Sequence, residues 1–235
     1  MKNNIKKKKN NYLGICVARK NSKGLKNKNI VSIKSKPCSY WTLLAAKHSK
    51  KLSKVVISTD SKKIISIAKN LNIEVPYQRP KYLSMDNSPI HEVIHHILKH
   101  YKKKKIYYDY FVLLQCSSPF RTNKHIDGAI KHFEKYKSNE ISSLISIVKS
   151  DLKAHWLLKK KGKKIEPIFK KKSHNLRRQK TQNFFLPNGA IYIADTTNFK
   201  KDFFSNNTLF YEMDYKCSID IDSKDDLNFI KNNYE

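Results

Sequence analysis

Tyr12-Leu-Gly-Ile-Cys-Val-Ala18, followed at once by Arg19-Lys-Asn-Ser22-Lys23-Gly24-Leu-Lys-Asn-Lys28-Asn29-Ile30, decides how the chain is read. The apolar run has the length and composition of a buried strand, although periodicity alone does not separate it from a helix segment. The polar stretch behind it carries Arg19, Lys23 and Lys28. A loop leaving the end of a core strand can gather cations and backbone N–H groups around one anion, which suits a phosphate chain. The competing reading is a solvated basic loop. With 49 Lys and Arg among 235 residues, any twelve hold about two or three cations, and this stretch holds five.

Working outward, strand-like and helix-like segments alternate. Strands are expected at 12–18, 55–58, 110–114, 142–148 and 190–193, with a last one within 209–221. Helices are expected at 38–50, 61–71, 89–101, 123–136 and 224–232, and a short extended piece at 74–77. This order predicts an α/β fold with a mostly parallel central sheet flanked by helices. Ligands of such sheets sit at the carboxyl ends of strands, and Arg19, Asp60 and Gln115 fall just past expected strand ends. Residues 151–186 break the rhythm: Trp156-Leu-Leu158 and Ile165-Glu-Pro-Ile-Phe169 flank a lysine-rich turn, which reads as a hairpin-like excursion, either a surface flap or an arm that packs on a second subunit, with its aromatic and aliphatic residues favouring the second. Residues 1–11 read as a basic disordered arm and 12–235 as one domain.

Composition narrows the function classes. A hydrophobic content of 39% excludes a disordered chain. A net charge of +30 points toward nucleic acid or an anionic membrane. Only five of the cations are Arg, however, and bidentate recognition of nucleic acid leans on Arg. No apolar run is long enough to span a bilayer and the amino terminus lacks a signal-peptide core, so a cytoplasmic location is expected. The four cysteines form no CxxC pair and read as buried free thiols. GxGxxG, Walker A, HExxH and GxSxG motifs are absent. The nine His have no metal-ligand spacing; His91, His95 and His96 read as helix-surface residues.

Two further stretches carry chemistry. Gln115-Cys-Ser117-Ser118-Pro119-Phe120-Arg121 follows the clearest core strand and has the composition of a substrate-binding loop, or of an ordinary strand-to-helix turn. In Ser218-Ile-Asp220-Ile-Asp222 the two carboxylates share one face of an extended chain. They read either as a Mg²⁺ site, since that ion takes oxygen ligands and keeps several waters, or with Asp222 as the cap of the final helix. Asp225 and Asp226 suit the first turn of that helix.

These blocks, in order, resemble the acylneuraminate cytidylyltransferases (CMP-sialic acid synthetases, with the legionaminic and pseudaminic acid enzymes). Arg19-x-x-Ser22-Lys23-Gly24-x-x-x-Lys28-Asn29 resembles the family's opening signature, and Val56-Ile-Ser-Thr59-Asp60 its second-strand motif. Arg79-Pro80 to Leu83 with Asp86 resembles its RPxxLAxD block, and Leu114-Gln115-Cys-Ser117-Ser118-Pro119-Phe120-Arg121 resembles LQPTSPLR. Arg177-Arg178-Gln179 with Pro187-Asn188-Gly189-Ala190-Ile191-Tyr192, then Ser218–Asp222 with Asp226-Leu227, complete the series. The resemblance implies a three-layer nucleotidyltransferase fold. It also implies transfer of CMP from CTP to a nine-carbon 2-keto sugar acid (a nonulosonic acid), with release of pyrophosphate. It implies Arg19, Lys23, Asp220 and Asp222 as catalytic, with Ser22, Lys28, Asn29 and Arg79 joining Arg19 and Lys23 on the nucleotide. Gln115, Asn188 and Arg178, with Arg177 as fallback, would hold the sugar acid. Asp220 and Asp222 would hold Mg²⁺, with Mn²⁺ as a substitute, and the 151–186 excursion would make a homodimer. No nucleic-acid or membrane partner is expected.

The chain departs from the pattern at Lys20-Asn21, where the family has two glycines, at Ser117-Ser118 for Thr-Ser, and at Leu186-Pro187, where an Arg is common. The last change leaves sugar-acid selectivity open. Two rival readings are CMP transfer to an eight-carbon 3-deoxy sugar acid and a non-enzymatic, basic nucleic-acid binder. Asp220 and Asp222 oppose the latter, because they would repel a phosphate backbone.

Overall fold

The computed structural model describes residues 10–22, 24–151, 157–168 and 183–234. A six-stranded sheet forms its centre, in the order β10-β6-β9-β5-β1-β4. The strands are β1 (Tyr12–Val17), β4 (Lys54–Ser58), β5 (Tyr110–Gln115), β6 (Ser143–Ser150), β9 (Phe184–Asp195) and β10 (Thr208–Glu212). β1 pairs in parallel with β4 and β5, and β10 with β6; β9 runs antiparallel between β5 and β6. The sheet is therefore mixed, with one reversed strand.

Alternation along the strands divides the core into two layers. Leu13, Ile15 and Val17 of β1 face α3 (Ile90–Lys103), meeting its Val93, Ile94 and Ile97. Tyr12, Cys16 and the following Ala18 face the other way. There they join Leu43 and Ala46 of α1 (Cys38–Lys47), Ile64 and Ala68 of α2 (Lys62–Asn70), and Ile126, Ile130 and Phe133 of α4 (Asn123–Tyr136). The helices bury their apolar faces because those residues recur at helical spacing. α4 begins with a capping box between Thr122 and His125. A third, smaller cluster of Leu25, Ile33, Cys38, Ile221 and Ile230 ties the loop after β1 to the carboxyl-terminal helix α5 (Lys224–Tyr234).

Two segments differ from the sequence expectation, the early hairpin and the excursion, while the last strand falls where it was expected. A two-residue-strand hairpin, β2 (Ser32–Ile33) and β3 (Lys36–Pro37), precedes α1; its turn places Lys34 and Ser35 at positive φ. The last strand stops at Glu212 and is followed by a 3₁₀ turn, Tyr215–Ser218. Within the 151–186 excursion, β7 (Leu158–Lys161) and β8 (Lys164–Pro167) form the expected hairpin, turning at Gly162 (φ 60°). Residues 184–186, however, already belong to β9, where they pair with β6. Residues 1–9 of the arm and residues 152–156 and 169–182 of the excursion lie outside the described residues. Among the described residues, no helix is long and apolar enough to cross a membrane. The described cysteines are free thiols; Cys16, Cys38 and Cys116 are buried and Cys217 is half-buried.

Candidate functional site

The site lies where β1, β4 and β5 end side by side. The loop after β1 is packed rather than solvated. Asn29 Nδ2 donates to the Arg19 carbonyl (3.0 Å), which closes the loop on itself, and the backbone N–H of Lys20 donates to Asp60 Oδ1 (2.7 Å) at the end of β4. Leu25 is buried against Ile221. A Cβ on Gly24 would collide with the carbonyl oxygen of Asp222, so this loop and the carboxylate segment touch backbone to backbone. Among the described loop residues, the left-handed conformation falls on Asn27 (φ 60°), a residue type that tolerates it. Lys20 and Asn21 need no glycine geometry.

A cleft of about 240 Å³ opens here, lined by Arg19, Lys28, Asn29, Arg79, Gln115 and Ser117 among others. Arg19 Nη1 pairs with Asp86 Oδ1 (2.6 Å) and also donates to the Met85 carbonyl (3.2 Å). Lys28 Nζ pairs with Asp222 Oδ1 (2.5 Å). Arg79 is buried, donating from Nε to Ser58 Oγ (2.9 Å) and from Nη2 to the Ser58 carbonyl. Burial pushes its pKa down to about 10, against the opposing pull of Asp60. Ser22 Oγ is buried and has no hydrogen-bond partner among the described residues. Lys23 lies outside the described residues.

The carboxylates come from the segment between the 3₁₀ turn and α5. Ile221 N–H donates to the Ser117 carbonyl (3.0 Å), fastening this segment to the loop after β5. Ile221 is buried while Asp220 is half-buried and Asp222 exposed, so the alternation read in the sequence holds. Ser118 Oγ donates to Asp220 Oδ1 (3.2 Å). The Asp220 pKa is raised, first by desolvation and then by the charge of Asp222; the Ser117 and Ser118 hydroxyls and Lys28 only partly offset this. Asp222 does not cap α5. Ser223 and Asp226 do so: Asp226 N–H donates to Ser223 Oγ (3.1 Å) and Ser223 N–H to Asp226 Oδ2 (2.8 Å).

Gly189 (φ 71°) supplies the third wall. A Cβ there would stand 3.8 Å from Gln115 Oε1 and 3.9 Å from Asp220 Oδ2, so those two side chains meet across a glycine. Asn188 behaves differently from the expectation that it faces a ligand. It is buried; its Oδ1 accepts from Ser146 Oγ (2.5 Å) and Ala190 N–H (3.1 Å), and its Nδ2 donates to Ser218 Oγ (2.8 Å). It staples β9 to β6 and to the carboxylate segment. Arg121 also turns inward, donating from Nη1 to the carbonyls of Ala190 (2.6 Å) and Gln115 (3.3 Å). Arg177 and Arg178 lie outside the described residues. Asp86 and Met85, which hold Arg19, had no sequence signal beyond the place of Asp86 in a motif.

Among the described residues no cluster of three or more His, Cys, Asp or Glu could hold a metal. Asp220 and Asp222 are neighbouring carboxylates, and desolvation together with the charge of Asp222 raises the Asp220 pKa. Such a pair fits Mg²⁺, which is commonly held by one or two carboxylates while waters and substrate phosphates fill its other positions.

Residues 13–232 match the sequence family described as Cytidylyltransferase. The chain is 32% identical over 223 residues to the N-acylneuraminate cytidylyltransferase of Streptococcus agalactiae serotype III (strain NEM316), covering 91% of this chain and 51% of that protein. It is 32% identical over 228 residues to post-translational flagellin modification protein B of Campylobacter coli, covering 92% of each. The chain thus spans about half the length of the streptococcal relative and nearly all of the second. Its fold is similar to that of a CMP:2-keto-3-deoxy-manno-octonic acid synthetase solved with CTP, with a TM-score of 0.66 at 11% identity over 94% of this chain and 97% of that one.

Proposed function

The chain belongs to the cytidylyltransferase family, in the group of the acylneuraminate enzymes and their legionaminic and pseudaminic acid relatives, and from that premise we propose that it transfers CMP from CTP to the anomeric hydroxyl of a nine-carbon 2-keto sugar acid. The observation that carries this reading is the Lys28–Asp222 pair, which joins the anion-suited loop to the carboxylate segment across 194 residues of sequence.

In this reading Arg19, Lys23 and Lys28 receive the triphosphate and spread its charge, as phosphoryl transfer requires. Asn29 and Arg79 form the nucleoside wall; Arg79 is held rigid by Ser58, and Asn29 by its bond to the Arg19 carbonyl. Ser22 brings to the loop a hydroxyl that has no partner among the described residues. Gln115 meets the sugar acid beside Gly189, and Arg178 or Arg177 would pair its carboxylate. The anomeric O–H loses its proton to Asp220, the oxygen bonds to the α-phosphorus, and the α–β bridging bond breaks to release pyrophosphate. Half-burial and the neighbouring charge of Asp222 raise the Asp220 pKa before any cation binds. Asp220 and Asp222 would hold Mg²⁺ (or Mn²⁺), which when bound supplies further neutralisation of phosphate charge.

Leu158, Ile165 and Ile168 of the hairpin and Phe185 and Leu186 of β9 are exposed apolar residues, which supports a homodimer through this region. The test is pyrophosphate release from CTP and Mg²⁺ with a panel of sugar acids. Release is expected with a nine-carbon acid only. Release with none of the panel, or equal release with an eight-carbon acid, sinks the proposal. Tight duplex binding without turnover would favour the nucleic-acid reading instead.

A further inference from the structure

Arg19 does not wait empty. Its guanidinium is held by Asp86 (2.6 Å) and by the Met85 carbonyl (3.2 Å). Asp86 sits on a braced strap. Leu83 is buried in the sheet core; Ser84 Oγ donates to the Pro80 carbonyl (3.1 Å), Ser88 Oγ donates to the Tyr82 carbonyl (2.6 Å), and Met85 N–H donates back to Ser88 Oγ (3.1 Å). The backbone that carries Asp86 is therefore braced independently of Arg19. Beyond the strap lies a second compartment of about 550 Å³, lined by Lys20, Asp60, Gln78 and Lys81. Arg79, Met85 and Asp86 belong to the walls of both compartments, so the Arg19–Asp86 pair stands on the divide between them.

We infer that Asp86 is a specificity-determining residue: a built-in anion that occupies Arg19 and must be displaced by the phosphates of an incoming ligand. The inference rests on the nucleotide reading above. The pair is partly exposed, with 27% of the Arg19 and 45% of the Asp86 side chain accessible, so it is weak enough for a polyphosphate to break. Because the strap is braced, Asp86 stays near the mouth after Arg19 is taken, and its charge continues to oppose anions. A chain with a net charge of +30 draws every small anion to its surface. A guarded cation rejects weakly charged ones and admits a ligand whose charge density outweighs a carboxylate.

The test is calorimetric titration with pyrophosphate, CTP and cytidine, separately, of the wild-type chain and of Asp86→Asn and Asp86→Glu. Asp86→Asn should tighten pyrophosphate and CTP about two- to fivefold and leave cytidine unchanged. Asp86→Glu, which keeps the charge, should return both anions toward wild-type affinity. A strap that merely supported the fold would move the urea midpoint and weaken all three ligands together. Unchanged or weaker pyrophosphate binding in Asp86→Asn overturns the inference, as does an Asp86→Glu chain that matches Asp86→Asn. Failure of the nucleotide reading looks different: CTP would bind no tighter than pyrophosphate, while the Asp86 series would still be read out with pyrophosphate.

Discussion

At the rim of the cleft, Arg19 and Lys28 reach through solvent-accessible space to Asp86 and Asp222, at 2.6 and 2.5 Å. Below the rim, Arg79 in the cleft wall and Arg121 behind the loop after β5, outside the cleft lining, form a buried floor of the fold; they donate to carbonyls and, from Arg79, to a serine hydroxyl, and neither forms an ion pair with a carboxylate among the described residues. Burial lowers both floor pKa values, that of Arg79 to about 10. Exposed ion pairs are worth little and exchange partners readily, whereas a buried guanidinium bonded to carbonyls does not let go, even though Arg121 Nε has no partner among the described residues. The same residue type therefore serves as a replaceable contact above and as architecture below. An arginine count made from the sequence cannot separate the two.

The largest expected effect tests the carboxylate beside the rim. Asp220→Asn should lower turnover on the order of 10²–10⁴-fold, the usual contribution of a positioned base. Its thermal midpoint should hold or rise, because removing a half-desolvated charge also relieves repulsion from Asp222. Retained turnover would reject the role given to Asp220.

Next comes the floor. Arg121→Met leaves the Ala190 and Gln115 carbonyls without their guanidinium donor, and a loss of about 3 kcal/mol is expected in urea unfolding. Arg19→Met should cost less than about 1 kcal/mol in the same experiment. Equal losses would erase the distinction between rim and floor.

Gly24→Ala probes the joint between the loop and the carboxylate segment. The added methyl meets the Asp222 carbonyl, so a penalty of about 1–3 kcal/mol is expected, together with reduced affinity for CTP. A silent substitution would mean that the two segments separate at little cost.

A smaller effect concerns pH. The Asp226 pKa is lowered: desolvation pushes it up, but hydrogen bonds from Ser223 Oγ and from the backbone N–H groups of Asp222 and Ser223 outweigh that. A depressed carboxylate adds stability above its unfolded value near 3.9 and loses it as pH falls through the folded value. Asp226→Asn should therefore cost about 1 kcal/mol near neutrality, and the gap to wild type should close as pH drops below about 4. A gap independent of pH would contradict the assignment.

The smallest effect is at Lys20. Lys20→Gly, which moves the loop toward the family pattern, should change stability by less than about 0.5 kcal/mol, because Lys20 is exposed and free of left-handed strain. A larger gain would mean that the missing glycines do cost this chain something.

Much of the fold was legible because burial leaves a periodic trace. Ile126, Ile130 and Phe133 recur at helical spacing, and α4 spans the expected 123–136; the run before Gln115 is continuous because β5 is covered on both faces. Strand-end logic placed Arg19, Asp60 and Gln115 on one edge without any contact being known. Orientation was less accessible. Asn188 sits beside Gly189 in a motif, and no periodicity says that its amide points into the sheet toward Ser146 and Ser218. Whether Asp222 capped a helix or met a lysine was likewise open, since Ser223 with Asp226 offers an equally good cap one residue later. Residues 184–186 look like the end of an excursion because β9 is antiparallel and carries Pro187 within it.

The Lys28–Asp222 contact also has a consequence in time. Its partners are 194 residues apart, so at about 5–20 residues per second the second appears about 10–40 s after the first during synthesis. Until then the loop after β1 lacks Leu25's partner Ile221 and the backbone that Gly24 fits against. A nascent chain can thus lay down β1, β4 and β5 while its cleft stays unfinished, and a chain cut short before residue 219 is born without the acidic half of the site.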